Sequence, residues 1–475
     1  MNLRRVCALP TWGYAVPDWG IAPYQEPIHR GRCLRQSQRQ QSGEWPQRRR
    51  VNPPVDSDDA DQSPPYSASQ REASSSGLRD YVEERDVTFV SGNRVLMTAP
   101  LGGGLGGGAV YCSELQREAP SQVLLVSVGS RTAGERLWRS AGRTVLDAAR
   151  VGYEIARSRP DVIQLNPSLD LRSAARDGLS LTVARAFGHR PIVFLHGWSA
   201  SNSCWISRCG GRPARALVNR SAAVVVLADA YRDDLRYWGV TVPIYVESTL
   251  VPADTLAALS AVYDQRPEYS GSGLTLLVLG RVTARKGVWT AIAAMRLARE
   301  TGTDVRVVFA GDGVDLPQLR SQTQGEDWVA CLGEVSGEAK FEALRGADAL
   351  LMPSHTEGMP LSLLEGMAAG LPVVTTRVGG VCDFFVDRQM GYSCPPQNAQ
   401  MLAAAVLKLA ACRHSWTAIG RTNREFALRY FTPVQAWRRL QSIYSAQQPA
   451  HGGRSRPSPW YEGVNESAGS ASRAS

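Results

Sequence analysis

The sequence predicts an α/β protein made of two doubly wound parallel sheets, and three observations carry that expectation. From about residue 93 onward, short apolar runs alternate with helical patterns, the signature of strands spaced by helices in a parallel sheet. Several of those runs end in glycine- or proline-bearing loops, at the strand ends where an open α/β sheet places its ligand crevice. A polar break from Arg266-Pro267 to Gly273 divides the alternation in two. A chain of 475 residues with 43% apolar content suits two or three domains with sizeable cores.

In the first unit, 85–268, strands are expected at Asn93–Thr98, Val123–Val126, Val162–Leu165, Ile192–Leu195 and Ala223–Leu227, with helices over Gly134–Arg157 and Ser173–Phe187. The first strand runs into Pro100-Leu101-Gly102-Gly103-Gly104-Leu105-Gly106-Gly107-Gly108, and a helix opens at Ala109. A strand, glycine loop and helix can bring backbone close to a bound anionic group. The loop lacks the spacing of the dinucleotide fingerprint and the Gly-Lys-Ser/Thr end of a P-loop, and a plain flexible turn fits it equally well. His196 follows the strand ending at Leu195, on the crevice side; a structural histidine and a functional one are both open there.

The second unit, 269–431, opens with the strand Leu274–Leu279, then Gly280-Arg281 and Lys286-Gly287. A strand over Val305–Ala310 leads into Gly311-Asp312-Gly313, and another ends at Leu332-Gly333-Glu334-Val335. The strand Ala347–Met352 is broken by Pro353-Ser354, and the stretch from His355 to Pro372 follows. Pro360 suits the first turn of a helix, where its missing N–H costs nothing. That helix carries Leu361, Leu364 and Met367 and stops at Gly370; Val373–Thr376 starts the next strand. Glu357 therefore lies in a strand-to-helix loop and Glu365 about a turn and a half into the helix. The helix start, with its free N–H groups and positive dipole end, suits a phosphate. An amphipathic helix over 432–447 follows, with Trp437, Leu440, Ile443 and Tyr444 on one face.

Composition narrows the function classes. Residues 1–84 and 448–475 are rich in serine, arginine, glycine and proline and are expected to be disordered, because they cannot bury enough apolar surface to offset chain entropy. No apolar run approaches the length that spans a bilayer, and the amino terminus lacks the apolar core of a signal peptide. The nine cysteines show no zinc-type pairing, so no metal site and no cofactor is expected, and the thiols read as those of a cytoplasmic protein. The formal charge is +9, and Ser121–Arg220 alone holds 15 arginines against 6 acids. No feature points to specific nucleic-acid binding. A helix bearing Arg136, Arg139, Arg143, Arg150 and Arg157 beside Leu137, Trp138 and Val145 suits peripheral contact with an anionic membrane or a plain solvated face. Only three lysines occur, Lys286, Lys340 and Lys408.

On these residues the second unit resembles the donor half of the retaining glycosyltransferases with two Rossmann-like domains facing across a cleft, the GT-B architecture (glycosyl transferases group 1, family 4, with its Glu-x7-Glu donor motif). The matching segments are Gly280-Arg281 with Lys286-Gly287, Ala310–Gly313, Leu332–Val335, Pro353–Pro372 and Gly379-Gly380-Val381, and they run near-continuously from about 274 to 445. The first unit matches in outline only.

The resemblance implies a hexosyl transfer from a nucleotide-diphosphate sugar to a glycan, lipid-linked or small-molecule hydroxyl, with retention of configuration and without a metal, in polysaccharide or glycoconjugate biosynthesis. It implies that Arg281 and Lys286 hold the diphosphate, Glu357 contacts the transferred sugar and Glu365 accepts from the ribose hydroxyls. The backbone of Gly358, Met359, Pro360 and Leu361 would meet the phosphates, and that of Gly333 and Val335 the base. His196 would lie by the reacting sugar, with Gly102, Gly103 and Gly104 approaching the diphosphate, and the helix 432–447 would pack back on the first unit. Location at the inner face of the cell membrane would follow for a lipid-linked acceptor. Two segments depart from the family pattern: Gln164-Leu165-Asn166-Pro167 and Val246–Val251.

Three other readings bear on the same residues. A glycoside hydrolase carboxylate pair is set aside because a helix-borne Glu365 does not reach the same glycosidic oxygen as Glu357. A nucleotide-sugar epimerase of the same fold and a non-catalytic nucleotide-sugar-binding subunit stay open.

Overall fold

The computed structural model describes residues 93–100, 106–129, 137–169, 171–198, 200–266, 269 and 273–447, all within a single unit of the chain. The segments 1–84 and 448–475, the loop residues Gly102, Gly103 and Gly104, and Arg136 lie outside the described residues.

The first sheet is built from β1 (Val95–Ala99), α1 (Gly107–Glu118), β2 (Val123–Ser127), α2 (Leu137–Ser158), β3 (Val162–Leu165), α3 (Leu171–Ala186), β4 (Ile192–Leu195), α4 (Ala200–Arg208), α5 (Arg212–Val218), β5 (Ala223–Val226), α6 (Asp229–Tyr237) and β6 (Ile244–Val246). Its order is β2-β1-β3-β4-β5-β6, and every pairing is parallel. β1, β4 and β5 are buried at every residue, as expected where helices cover both faces of a parallel sheet. The order reverses between β1 and β3, so Ala99 and Leu165 end side by side at the switch point.

The second sheet follows α7 (Ala253–Asp264). It comprises β7 (Leu274–Leu279), the short turn Ala284–Lys286, α8 (Val288–Glu300), β8 (Val305–Ala310), α9 (Leu316–Gln322), β9 (Val329–Gly333), α10 (Gly337–Arg345), β10 (Ala349–Met352), α11 (Leu361–Ala368), β11 (Val373–Thr376), α12 (Val381–Phe384) and β12 (Gly391–Cys394). α13 (Ala399–Ala411), α14 (Trp416–Tyr430) and α15 (Pro433–Ala446) complete the described chain. Read from β9, the order is β9-β8-β7-β10-β11-β12, all parallel. This is the strand order of the doubly wound dinucleotide fold, whose ligand crevice lies where the order reverses, here between β7 and β10.

Two helices tie the halves together. α7 packs against α10 and α11 of the second half, and Arg266 beyond it donates to the carbonyls of Ala369 and Gly370. α15 packs on α1 of the first half. Thr432 caps α15 by accepting from the Gln435 amide, and Pro433 sits in its first turn, where a missing N–H is harmless. Trp437, Leu440 and Tyr444 are buried in a core shared with β1, β4, α7 and α11. A second polar anchor reinforces this helix: Arg439 donates through Nε to both oxygens of buried Glu247 at 2.7 and 3.0 Å, and to Ser248 Oγ and the Tyr430 carbonyl. The segment Val246–Val251, a mismatch in sequence, is thus a junction anchored by α15 through Glu247 and Ser248. Among the described residues, no helix is long and apolar enough to cross a membrane.

Candidate active site

The switch point of the second sheet gathers the charged residues singled out in the sequence. β7 delivers Gly280 and Arg281 at its carboxyl end, and the short turn that follows delivers Lys286. β10 delivers Pro353 to Glu357. The two loops are stitched together: the His355 amide donates to the Arg285 carbonyl at 2.9 Å, and His355 Nε2 lies 3.1 Å from Thr290 Oγ1. Burial lowers the His355 pKa. Gly287 makes this approach possible. Its φ is +76°, and a β-carbon there would run into the Pro353 carbonyl.

Lys286 Nζ consequently reaches Glu357 Oε1 at 2.6 Å, and Ser354 Oγ donates to the same oxygen at 2.6 Å. Arg281 is exposed. The Glu357-Gly358 backbone also touches the first half. Tyr231 on α6 donates to the Glu357 carbonyl, and the Asp229 amide donates to Asp383 at 2.9 Å. Tyr231 stacks on Trp198 at 4.2 Å, and Trp198 on Trp238 at 5.6 Å, so three parallel rings set the direction of that hydroxyl. Burial raises the Tyr231 pKa, with the Glu357 and Asp383 carboxylates adding to it. Gly379, at φ +50°, leaves no room for a side chain against the Glu357 carbonyl, and the Gly380 amide donates to the Gly358 carbonyl at 2.7 Å.

Glu365 lies on α11, buried, and pairs with Lys340 Nζ of α10 at 2.9 Å. Gly358, Met359, Pro360 and Leu361 form the entry to α11, whose first amides have no partner within the helix. Gly333 ends β9 beside Ala310, with Val335 two residues on. On the first sheet, His196 follows β4, and its backbone carbonyl lies 3.8 Å from where a Gly358 β-carbon would stand.

Of the sequence-selected residues, then, the fold joins Lys286 to Glu357 directly and brings the His196 backbone beside their loop. It sets Glu365 apart with a lysine of its own. Ser354, Tyr231 and Lys340 were not selected. The rarity of lysine was the available signal for Lys340, since two of the chain's three lysines sit on the two glutamates of the motif.

Comparison with known proteins bears on the fold and on the second half of the chain. Residues 264–426 match the family model of the Glycosyl transferases group 1. The chain is 28% identical over 305 residues to a glycogen synthase of Mycobacterium tuberculosis, covering 61% of this chain and 71% of that protein. It is 33% identical over 179 residues to the amylovoran biosynthesis glycosyltransferase AmsK of Erwinia amylovora, covering 36% of this chain and 44% of the relative. Among solved structures, Anabaena Alr3699/HepE in complex with UDP and glucose superposes with a TM-score of 0.57 at 17% identity, over 74% of this chain and 100% of that one. The two described sheets therefore have the GT-B architecture, and residues 264–426 are similar to the group 1 glycosyltransferases.

Proposed function

We propose that the chain is a retaining hexosyltransferase that moves sugar from a nucleotide diphosphate to a hydroxyl of a glycan, glycolipid or small molecule. The observation that carries this reading is the Lys286–Glu357 pair at the switch point of the second sheet, beside the start of α11. As the glycosidic bond breaks, negative charge grows on the leaving diphosphate. Cations placed there stabilise the transition state more than the ground state. Lys286 fills that role, and Arg281 joins it from its exposed position.

In this reading the incoming diphosphate competes with Glu357 for Lys286, which frees the carboxylate for the hydroxyls of the transferred sugar. Glu365 accepts from the ribose, the backbone at Gly333 and Val335 meets the base, and the first amides of α11 meet the phosphates. The two cations supply the charge a metal would otherwise bring, so turnover persists in chelator.

The glycogen and amylovoran relatives support a polysaccharide or glycoconjugate product. For a lipid-linked acceptor, α2 provides a face toward an anionic inner membrane surface: Val145, Leu146 and Tyr153 are exposed, as are Arg150 and Arg157. Loss of vesicle binding on raising salt tests that contact.

The deciding experiment incubates the protein with UDP-, GDP- and ADP-sugars, with and without membrane extract, following nucleotide release and the anomer of the product. Transfer with retained configuration, lost in Glu357→Gln, is the expected result. An inverted anomer refutes retention. Epimerised donor without transfer means an epimerase, and tight binding without turnover means a non-catalytic subunit.

A further inference from the structure

We propose that Asn166 and Gln164 are positioning residues that hold His196 as a neutral imidazole protonated on Nε2, leaving Nδ1 as the ring's only acceptor. The inference deepens the reading above, in which His196 lies by the transferred sugar.

The argument starts from a group that cannot donate. The Thr98 carbonyl lies 2.8 Å from Asn166 Nδ2, so the nitrogen of that amide must face it. Asn166 Oδ1 is thereby turned toward two neighbours, Gln164 Nε2 at 2.9 Å and His196 Nε2 at 3.0 Å. An amide oxygen only accepts, so both nitrogens carry hydrogen. Gln164 then presents its own oxygen to Tyr444 of α15, whose hydroxyl donates at 2.6 Å. Every direction along Tyr444–Gln164–Asn166–His196 follows from the one backbone carbonyl.

Burial makes the arrangement firm. Gln164, Asn166 and Tyr444 are buried, and reversing any member would leave like groups facing each other without water to relieve them. The His196 ring stacks on Phe194 at 4.0 Å and meets Tyr111 at 5.1 Å. Gly108 of α1 comes so close that a β-carbon there would lie 3.1 Å from the ring. The groups facing the ring are thus Tyr111 and Gly108 from α1, Phe194 from β4 and Asn166 after β3. Tyr111 is itself held protonated, its pKa raised first by burial. Burial drives the His196 pKa down to about 3. The residues at 164–167 that depart from the family pattern sit at the first sheet's switch point and set what the histidine can offer. It accepts a hydrogen bond from a sugar hydroxyl and has no proton to give as an acid.

Histidine ring nitrogen NMR on the full-length, unliganded protein tests this directly. The chain has six histidines, and the His196→Gln difference spectrum identifies the one required. The expected wild-type signal is a single Nε2–H tautomer that does not titrate between about pH 5 and 8. In Asn166→Asp, a carboxylate beside Nε2 favours imidazolium, and the pKa moves from about 3 up into that window. In Tyr444→Phe, which keeps the ring and removes only the far donor, the Nε2–H tautomer persists, because the Thr98 carbonyl still fixes Asn166. A wild-type ring that titrates near its ordinary value, an Nδ1–H ring, a spectrum indifferent to Asn166→Asp, or a tautomer reversed by Tyr444→Phe overturns the proposal. Nucleotide release, measured in parallel, separates the two claims. Absence of turnover with every nucleotide sugar removes the transferase reading and leaves the tautomer result standing, whereas turnover with an Nδ1–H ring removes the inference alone.

Discussion

Gly287→Ala is the substitution by which the fold's control of Lys286 can be measured. At φ +76° an alanine carries about 1–2 kcal/mol of local strain. A β-carbon there would also fall well inside the 3.0 Å that real contacts respect against the Pro353 carbonyl. That carbonyl closes β10 and cannot swing aside as a long side chain could, so the turn Ala284–Lys286 must back away by on the order of 1 Å. Lys286 Nζ sits 2.6 Å from Glu357 Oε1, and adding that displacement takes the contact past hydrogen-bond range. Strain and lost contact together cost about 2–3 kcal/mol, or roughly 5–10 °C in melting temperature. The misplaced cation costs about a hundredfold in kcat/KM. The assay pairs thermal unfolding with nucleotide release, using Lys286→Met as the control that removes charge without touching the backbone. A Gly287→Ala protein that melts and turns over like the wild type refutes the reasoning.

Three further outcomes follow from other contacts. Lys340→Met leaves buried Glu365 without its cation and lowers stability by about 2 kcal/mol in urea unfolding; if Glu365 accepts from the ribose, the donor KM rises more than kcat falls. Arg439→Met strands the buried Glu247 carboxylate, costing about 3 kcal/mol, and limited proteolysis should then cut at α15 before the second sheet. Burial pushes the Cys112 thiol up to about 12, and burial with the Asp387 carboxylate does the same for Cys394. The unfolded chain therefore releases these protons near its ordinary value while the folded chain keeps them. Stability present below about pH 9 should decline toward pH 12, by up to ~1.4 kcal/mol per unit for each thiol; an unfolding free energy flat over that interval contradicts the assignment.

The strands were legible wherever a run had to be apolar on both faces. Val162–Leu165, Ile192–Leu195, Leu274–Leu279, Val305–Ala310 and Val373–Thr376 have the bounds their apolar runs suggest. β6 and β12 were not anticipated. Three residues are too few to show a pattern, and Gly391-Tyr392-Ser393-Cys394 at a sheet edge has no apolar run to show. In the candidate site, Lys286 and Glu357 stood out because each sits beside a glycine in a loop after a strand. Lys340 did not, because its partner lies 25 residues away on another helix. The segments at 164–167 and 246–251 registered only as mismatches, since what satisfies Gln164 and Glu247 is supplied from α15.

That distance has a consequence for how the protein is made. Tyr444 lies 280 residues after Gln164, and Arg439 lies 192 after Glu247. On the ribosome the first sheet emerges with a buried amide chain and a buried carboxylate whose partners do not yet exist. That face is therefore expected to stay open until the second half has been synthesised and α15 arrives. A chain truncated just before α15 should bind chaperone at the α1 face, and a chain extended through residue 446 and released from the ribosome should not.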